Sequence, residues 1–262
     1  MIDEFAPSNK NNMPKISIIT VVLNRVKYIE QALLSVINQT YPNVEYIVID
    51  GGSTDGTLDI IKKYLSEIDC FVSEPDKGMY FALNKGIEKA TGELIGIVHS
   101  DDYYYDHNVV ENIVIEHLKV NADIYHGNVE YLIETKEGFR KEIGISNADL
   151  ILKTGTSILH PTTFIKKSVL NKYGIYDTRY HSASDYELMI RLKKNHCYFY
   201  FTGIIISNVR ILNKGRVSNN CYAHIEAYKM HKFHKTGNHN QYIFSFIHCL
   251  ARRTVKKILL KI

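Results

Sequence analysis

The sequence predicts an α/β protein in which a mainly parallel, doubly wound sheet is flanked by helices and followed by a helical extension. Three observations carry that prediction. Short β-branched runs alternate with segments of helical periodicity through the first hundred residues, the pattern of successive strand–helix–strand units. Several of those runs end in Asn or Asp, and in doubly wound sheets the carboxyl ends of the strands are where loops converge on a ligand. The chain has 262 residues, 45% of them hydrophobic, enough for one substantial core.

"ISIITVVLN" (16–24) is short and apolar enough for a buried strand, and "YIEQALLSVINQ" (28–39) follows with apolar residues at helical spacing. "VEYIVIDGGSTDGT" repeats the unit with a strand ending at Asp50, a glycine-bearing turn, and a helix from about Asp55 for which Ser53, Thr54 and Asp55 are candidate caps. A third strand is expected near "CFVSE" (70–74), a helix over "MYFALNKGIEKA", and a strand over "GELIGIVHS" that delivers Asp101 and Asp102. Asn24, Asp50 and the Asp101/Asp102 pair are thereby gathered along one sheet edge. Adjacent carboxylates in extended chain point in different directions, so one of the pair suits a cation and the other a hydroxyl. A hard divalent cation is held by one or two carboxylates plus phosphate oxygens.

Charge and cysteine content exclude several classes. A net charge of +4 does not call for nucleic acid. Cys70, Cys197, Cys221 and Cys249 form no CxxC pair and are expected as reduced thiols in a cytoplasmic protein. The polar N-terminus lacks the apolar stretch of a signal peptide, and no run reaches the length of a spanning helix. His224, His231, His234 and His239 match no compact zinc spacing and are expected at the surface. No glycine-rich phosphate loop follows the first strand, where "TVVLNR" stands, which argues against a sugar nucleotidyltransferase. A non-catalytic nucleotide- or glycan-binding module stays open as an alternative.

"SIITVVLNR", "VIDGGSTDGT", "DKGMYFALNKGIEKATGE", "VHSDDYY", "HPTTFIKKSVLNKYGIYD" (160–177) and "SASDYELMIRL" (182–192) occur in one order. That order resembles the family-2 inverting glycosyltransferases over roughly residues 14–218, and is similar to the bacterial members that build surface polysaccharides. The resemblance implies a GT-A fold with a Rossmann-like central sheet. It also implies transfer of a sugar from a nucleotide-sugar donor, UDP preferred over GDP, to a hydroxyl of a glycan or lipid-linked glycan, aided by Mn2+ or Mg2+.

Residue by residue, the resemblance places Thr20, Val22 and Asn24 along the base pocket and Asp50 against the base. Asp76 and Asn84 fall on the donor side, Ser100 and Asp101 near the ribose and cation, and Asp102 on the metal. Ser100 replaces the first carboxylate of the family's Asp-x-Asp pattern, which leaves the cation fewer protein charges. His160 and Thr162 border the acceptor or the diphosphate. Asp185, at a helix start that Ser182 or Ser184 can cap, matches the general base. Tyr103, Tyr104 and Tyr105 are expected to pack partly and to project hydroxyls into the cleft, or to stack on a sugar.

The expected organisation is a polar tail (1–13), a catalytic domain (14–218, its nucleotide-sugar half about 14–105 and its acceptor half about 106–218) and a helical extension (219–262). Within the extension Ile243, Ile247, Ala251, Val255, Ile258 and Ile262 recur on one arc of a helix, opposite Arg252, Arg253, Lys256, Lys257 and Lys261. Such a basic amphipathic helix either docks its apolar arc on the protein or rests on anionic lipid at the inner face of the plasma membrane.

Overall fold

A computed structural model describes residues 13–152, 158–212, 222–236 and 242–249. The nucleotide-sugar half is built as its periodicity predicts. Strands β1 (Ile16–Val22), β2 (Val44–Asp50), β3 (Cys70–Ser73) and β4 (Leu94–Ile97) are joined by helices α1 (Ile29–Ile37), α2 (Thr57–Ile61) and α3 (Met79–Lys89). All their pairings are parallel, in the order β3-β2-β1-β4. Alternation along β1 sends Ile19 and Val21 into one hydrophobic layer and Ile16, Ile18 and Val22 into the other, so the sheet is buried on both faces.

After the short β5 (Tyr103–Tyr104) and α4 (Val109–Lys119), the second half mixes directions. The 12-residue β6 (Ile124–Thr135) pairs with β7 (Gly138–Gly144) and β8 (Thr163–Lys166) antiparallel, and with β9 (Phe199–Ile211) in parallel. β8 also pairs antiparallel with β4, and β5 with β9, which joins both halves into one sheet of nine strands. Helices α5 (Lys167–Tyr173), α6 (Ser184–Lys194) and α7 (Tyr222–His234) complete the succession. Met230 of α7 is fully buried in the cluster that holds Leu188, Met189 and Leu192 of α6. No helix among the described residues is long and apolar enough to cross a membrane.

Several local expectations need correction. The helix expected from Asp55 is a single α turn from Thr57 followed by a 3-10 segment, Lys62–Glu67. Of its three candidate caps only Asp55 serves that end, accepting from the Thr57 amide at 3.0 Å. Ser53 and Thr54 bond instead to Asn24. Neither serine caps α6, whose N-cap is Ala183: the Ser182 hydroxyl donates to Glu226, and the Ser184 hydroxyl is buried without a partner among the described residues.

His231 and His234 are not at the surface. His231 is fully buried among Tyr186, Thr236 and Tyr242, and His234 bonds Glu187 at 3.0 Å. Cys70 and Cys197 are free thiols, but Cys249 is disulfide-bonded, so the expectation of four reduced thiols fails there. Cys221 and His239, like Ala251 to Ile262, lie outside the described residues.

Candidate active site

The strand order reverses between β1 and β4, since β1 leads through α1 to β2 on one side while β4 returns on the other. Ligands of doubly wound sheets bind in the crevice beyond the strand ends at such a point. A groove of about 1020 Å3 opens there, with Val22, Asn24, Arg25, Asp76, His99 and Asp101 in its wall.

The loop after β1 is fastened to the loop after β2. Asn24 adopts a left-handed φ of 52°, a conformation asparagine tolerates better than most residues. Its amide donates to the Ser53 hydroxyl at 2.8 Å, and its side-chain carbonyl accepts from the Thr54 amide at 2.9 Å. Asp50, expected against the base, has no exposed surface. Its carboxylate accepts from the Gly52 and Ser53 amides, each at 3.0 Å, and from the Ser73 hydroxyl at 2.7 Å. It organises the loop, because a buried carboxylate at a strand end must find donors. Asp76 reaches the groove in its place: its Oδ2 lies 2.6 Å from where a Cβ on Gly51 would stand, so the missing side chain makes its room, and its Oδ1 accepts from the Gly78 amide at 2.7 Å. Thr20 is fully buried and its hydroxyl meets the Tyr46 hydroxyl at 3.0 Å, so it does not line the groove. Val22 does reach the wall of the groove.

At the other end of the groove, Ser100, Asp101 and Asp102 form the turn after β4. Asp102 is 6% exposed and its Oδ1 accepts from the Arg210 amide at 2.9 Å. Asp101 is the more accessible carboxylate, with 29% of its side chain exposed and Arg25 Nε at 3.6 Å. The Arg210 guanidinium donates to the Asp101 carbonyl and to Gln31, and it lies 4.8 Å from the ring centres of both Tyr28 and Tyr103. Tyr104 is buried on Phe164, and only Tyr105 is well exposed. Among the described residues no three His, Cys, Asp or Glu side chains converge as a ready cation cage. One accessible carboxylate, a second partly committed to a backbone amide and one hydroxyl fit a hard cation that arrives with phosphate oxygens.

Asp185 stands at the first turn of α6, where the helix dipole favours a negative charge. Its Oδ1 accepts from the Tyr80 hydroxyl at 2.8 Å. Burial nevertheless wins over these bonds and raises the Asp185 pKa above the usual carboxylate value. His99, in the wall of the groove, shares this environment, and burial followed by the neighbouring His160 pushes its imidazole down to about 4.

His160 is 6% exposed, shares a 2.5 Å hydrogen bond with the Tyr176 hydroxyl and packs 5.7 Å from His99. Burial holds its pKa at about 4, so it backs the site as a neutral ring and does not border the groove. Thr162 is fully buried and donates to the carbonyls of Gly127 and Leu159, which corrects its expected contact with acceptor or diphosphate. Both polar ends of Asn84 bond the backbone of Tyr176, so its amide fastens α3 to the acceptor half, while the residue also lines a cleft beside Asp76 and Lys77.

Sequence reasoning missed Arg25, Tyr28, Tyr80, His99 and Arg210 as site residues. Arg25 and His99 adjoin Asn24 and Ser100 and could have been found by reading one residue further. Tyr80 and Arg210 meet partners 105 and 109 residues away, for which no local pattern exists.

The chain matches the Glycosyl transferase family 2 over residues 17–174. It is 30% identical over 229 residues to an uncharacterized glycosyltransferase of Rickettsia typhi, covering 82% of this chain and 70% of that protein. It is also 30% identical over 188 residues to a PGL/p-HBAD biosynthesis glycosyltransferase of Mycobacterium bovis, covering 70% and 71%. Among solved structures, residues 1–349 of S. aureus TarS in complex with UDP-GlcNAc share the fold with a TM-score of 0.68 at 19% identity, over 84% of this chain and 65% of that one. The mannosyltransferase PcManGT of Pyrobaculum calidifontis, in complex with GDP-Man and Mn2+, gives 0.67 at 15% identity, over 92% and 75%. The groove at the switch point and the sequence likeness agree, and the chain belongs to glycosyl transferase family 2.

Proposed function

We propose that this glycosyltransferase moves a sugar from a nucleoside diphosphate donor, with UDP preferred, to a hydroxyl of a bacterial glycan or lipid-linked glycan by a single inverting displacement. The observation that carries the reading is the placement of two kinds of carboxylate. Asp101 and Asp102 lie in the groove in the turn after β4, while Asp185, with its raised pKa, neighbours His99 on the acceptor half. TarS with UDP-GlcNAc and PcManGT with GDP-Man and Mn2+ supply the analogy for the donor and for a divalent cation.

In this reading Asp76, Asn24 and Val22 receive the nucleoside, and Asp101 and Asp102 hold Mn2+ or Mg2+ beside the diphosphate. The cation, when bound, offsets charge on the departing phosphate. Asp185 takes the proton of the acceptor hydroxyl as its oxygen bonds to the anomeric carbon. The bond from that carbon to the diphosphate breaks with its electron pair leaving on phosphate, so no covalent enzyme intermediate forms.

The test is incubation with a panel of UDP- and GDP-sugars, Mn2+ or Mg2+ and candidate glycan acceptors, following nucleoside diphosphate release and the anomeric configuration of the product. Release that depends on acceptor and gives an inverted linkage supports the reading. Retention of configuration overturns the single displacement.

Contact with an anionic membrane completes the proposal. In the helix over 242–249, Tyr242 is turned inward while Ile243, Phe244 and Ile247 are exposed by 36%, 72% and 56%. The exposure of Ile243 and Ile247 supports the reading in which the apolar arc meets lipid. Five basic residues follow in sequence, between 252 and 261, and each lysine or arginine near an anionic surface contributes about 1 kcal/mol.

A further inference from the structure

Tyr80 belongs to the donor half by sequence, yet its hydroxyl spans 105 residues to reach Asp185 at 2.8 Å. It is 3% exposed, and its ring stacks on Tyr176 with centres 5.6 Å apart. Tyr176 is held on its other side by His160, and its backbone is clamped at both polar groups by Asn84, one turn along the same helix α3. Tyr80 therefore has one pose. Burial and the Asp185 charge raise its own pKa far above the ordinary tyrosine value, so it stays protonated and its hydroxyl donates to Asp185.

Resting on the assignment of Asp185 as the base, we propose that Tyr80 is a positioning residue that aims Asp185 and keeps its basicity in the working range. A buried carboxylate without a donor drifts toward its protonated form. The Tyr80 hydroxyl opposes that drift by favouring the ionised state and fixes the carboxylate through Oδ1. The Tyr80 proton stays on Tyr80 throughout.

The other groups facing this carboxylate are His99 from the end of β4, Tyr176 from the loop after α5, and Tyr186 from α6 itself. The Tyr186 and Asp185 amides also donate to the carboxylate, and Tyr80 supplies its side-chain hydrogen bond. The placement also joins two functions. Asp76 is held by the Gly78 amide at the start of α3, and Tyr80 lies in the first turn of the same helix, so the segment that meets the nucleoside also sets the base.

The experiment is Tyr80→Phe, which keeps the ring and its stacking and removes one hydroxyl. With UDP-sugar and acceptor, kcat at neutral pH is expected to fall about 10-fold or more, the scale of a lost hydrogen bond to a charged group. The acidic limb of the kcat–pH profile should move to higher pH, while KM for the donor and UDP affinity measured by calorimetry stay at wild-type values. The limb position is read on whatever fraction of the variant is folded, so partial misfolding does not obscure it. An unmoved limb with wild-type kcat overturns the role of Tyr80. The parallel variant Asp185→Asn separates the two claims: if it still transfers sugar, the base assignment itself fails, whereas an inactive Asp185→Asn beside an unaltered Tyr80→Phe overturns only the positioning role.

Discussion

Asp185 must be ionised to accept a proton, and its burial raises the pKa at which it ionises. The sign follows directly. Transfer should increase with pH through that raised value and be lost on acidification above the roughly 3.9 of an ordinary aspartate. A profile flat down to the ordinary carboxylate range would contradict it. Asp185→Asn keeps shape without accepting a proton, so transfer should drop about 100-fold or more while UDP still binds by calorimetry. Asp101 and Asp102 are expected to act through the cation. Alanine at either should leave a folded protein whose turnover no longer responds to added Mn2+, with Asp102→Ala also releasing the Arg210 amide. Turnover that responds to Mn2+ as in the wild type would remove that carboxylate from the cation site.

At the scale of elements, α3 is seated on β1 with no room to spare, since a Cβ on Gly86 would lie 2.6 Å from Ile19 Cγ2. Gly86→Ala should therefore destabilise by about 1–3 kcal/mol through overpacking, read as a lower denaturant midpoint at unchanged slope. α6 depends on Glu187, which is 4% exposed and accepts from Arg191 at 2.8 Å and from His234 at 3.0 Å. Arg191 also holds the carbonyls of Tyr173, Gly174 and Ile175. Arg191→Ala leaves a buried carboxylate short of its partner and should cost about 3–5 kcal/mol, measured the same way. A loss below 1 kcal/mol would show that His234 alone satisfies Glu187.

The strands and helices of the first hundred residues were legible because hydrophobic period is a local signal and each βα unit repeats it. The placement of Asn24 and of the Asp101/Asp102 turn beside the groove was legible for the same reason, as polar residues at or near strand ends, whereas Asp76 was singled out only by the family resemblance. Asp50, Thr20 and Thr162 were misread because neighbours distant in sequence decide which face of a strand or turn is covered: Ser73 satisfies Asp50, Tyr46 meets Thr20, and Gly127 accepts from Thr162. Tyr80 and Arg210 were invisible because each acquires its role only through a partner on another element. The burial of His231 and His234 likewise follows from α7 lying against α6, which no spacing within α7 announces.

For the molecule as a whole, the outward-facing start of the C-terminal helix predicts a charge-dependent tether. The protein should sediment with vesicles containing anionic lipid at low salt and be released as salt rises. Replacing Arg252, Arg253, Lys256 and Lys257 with Gln should reduce binding and leave transfer to a soluble acceptor intact. Equal binding by the wild type and the quadruple variant would instead assign the exposed Phe244 and Ile247 to a packing or oligomer contact.

We propose that the groove beyond the ends of β1 and β4 holds a nucleotide sugar beside a cation while Asp185 activates the acceptor. The most direct measurement is nucleoside diphosphate release from a UDP-sugar by the wild type and Asp185→Asn, with and without acceptor, in the presence of Mn2+. Acceptor-dependent release is expected from the wild type, none above background from the variant, and equal UDP affinity for both. Acceptor-dependent release at the wild-type rate by Asp185→Asn would contradict the role of Asp185.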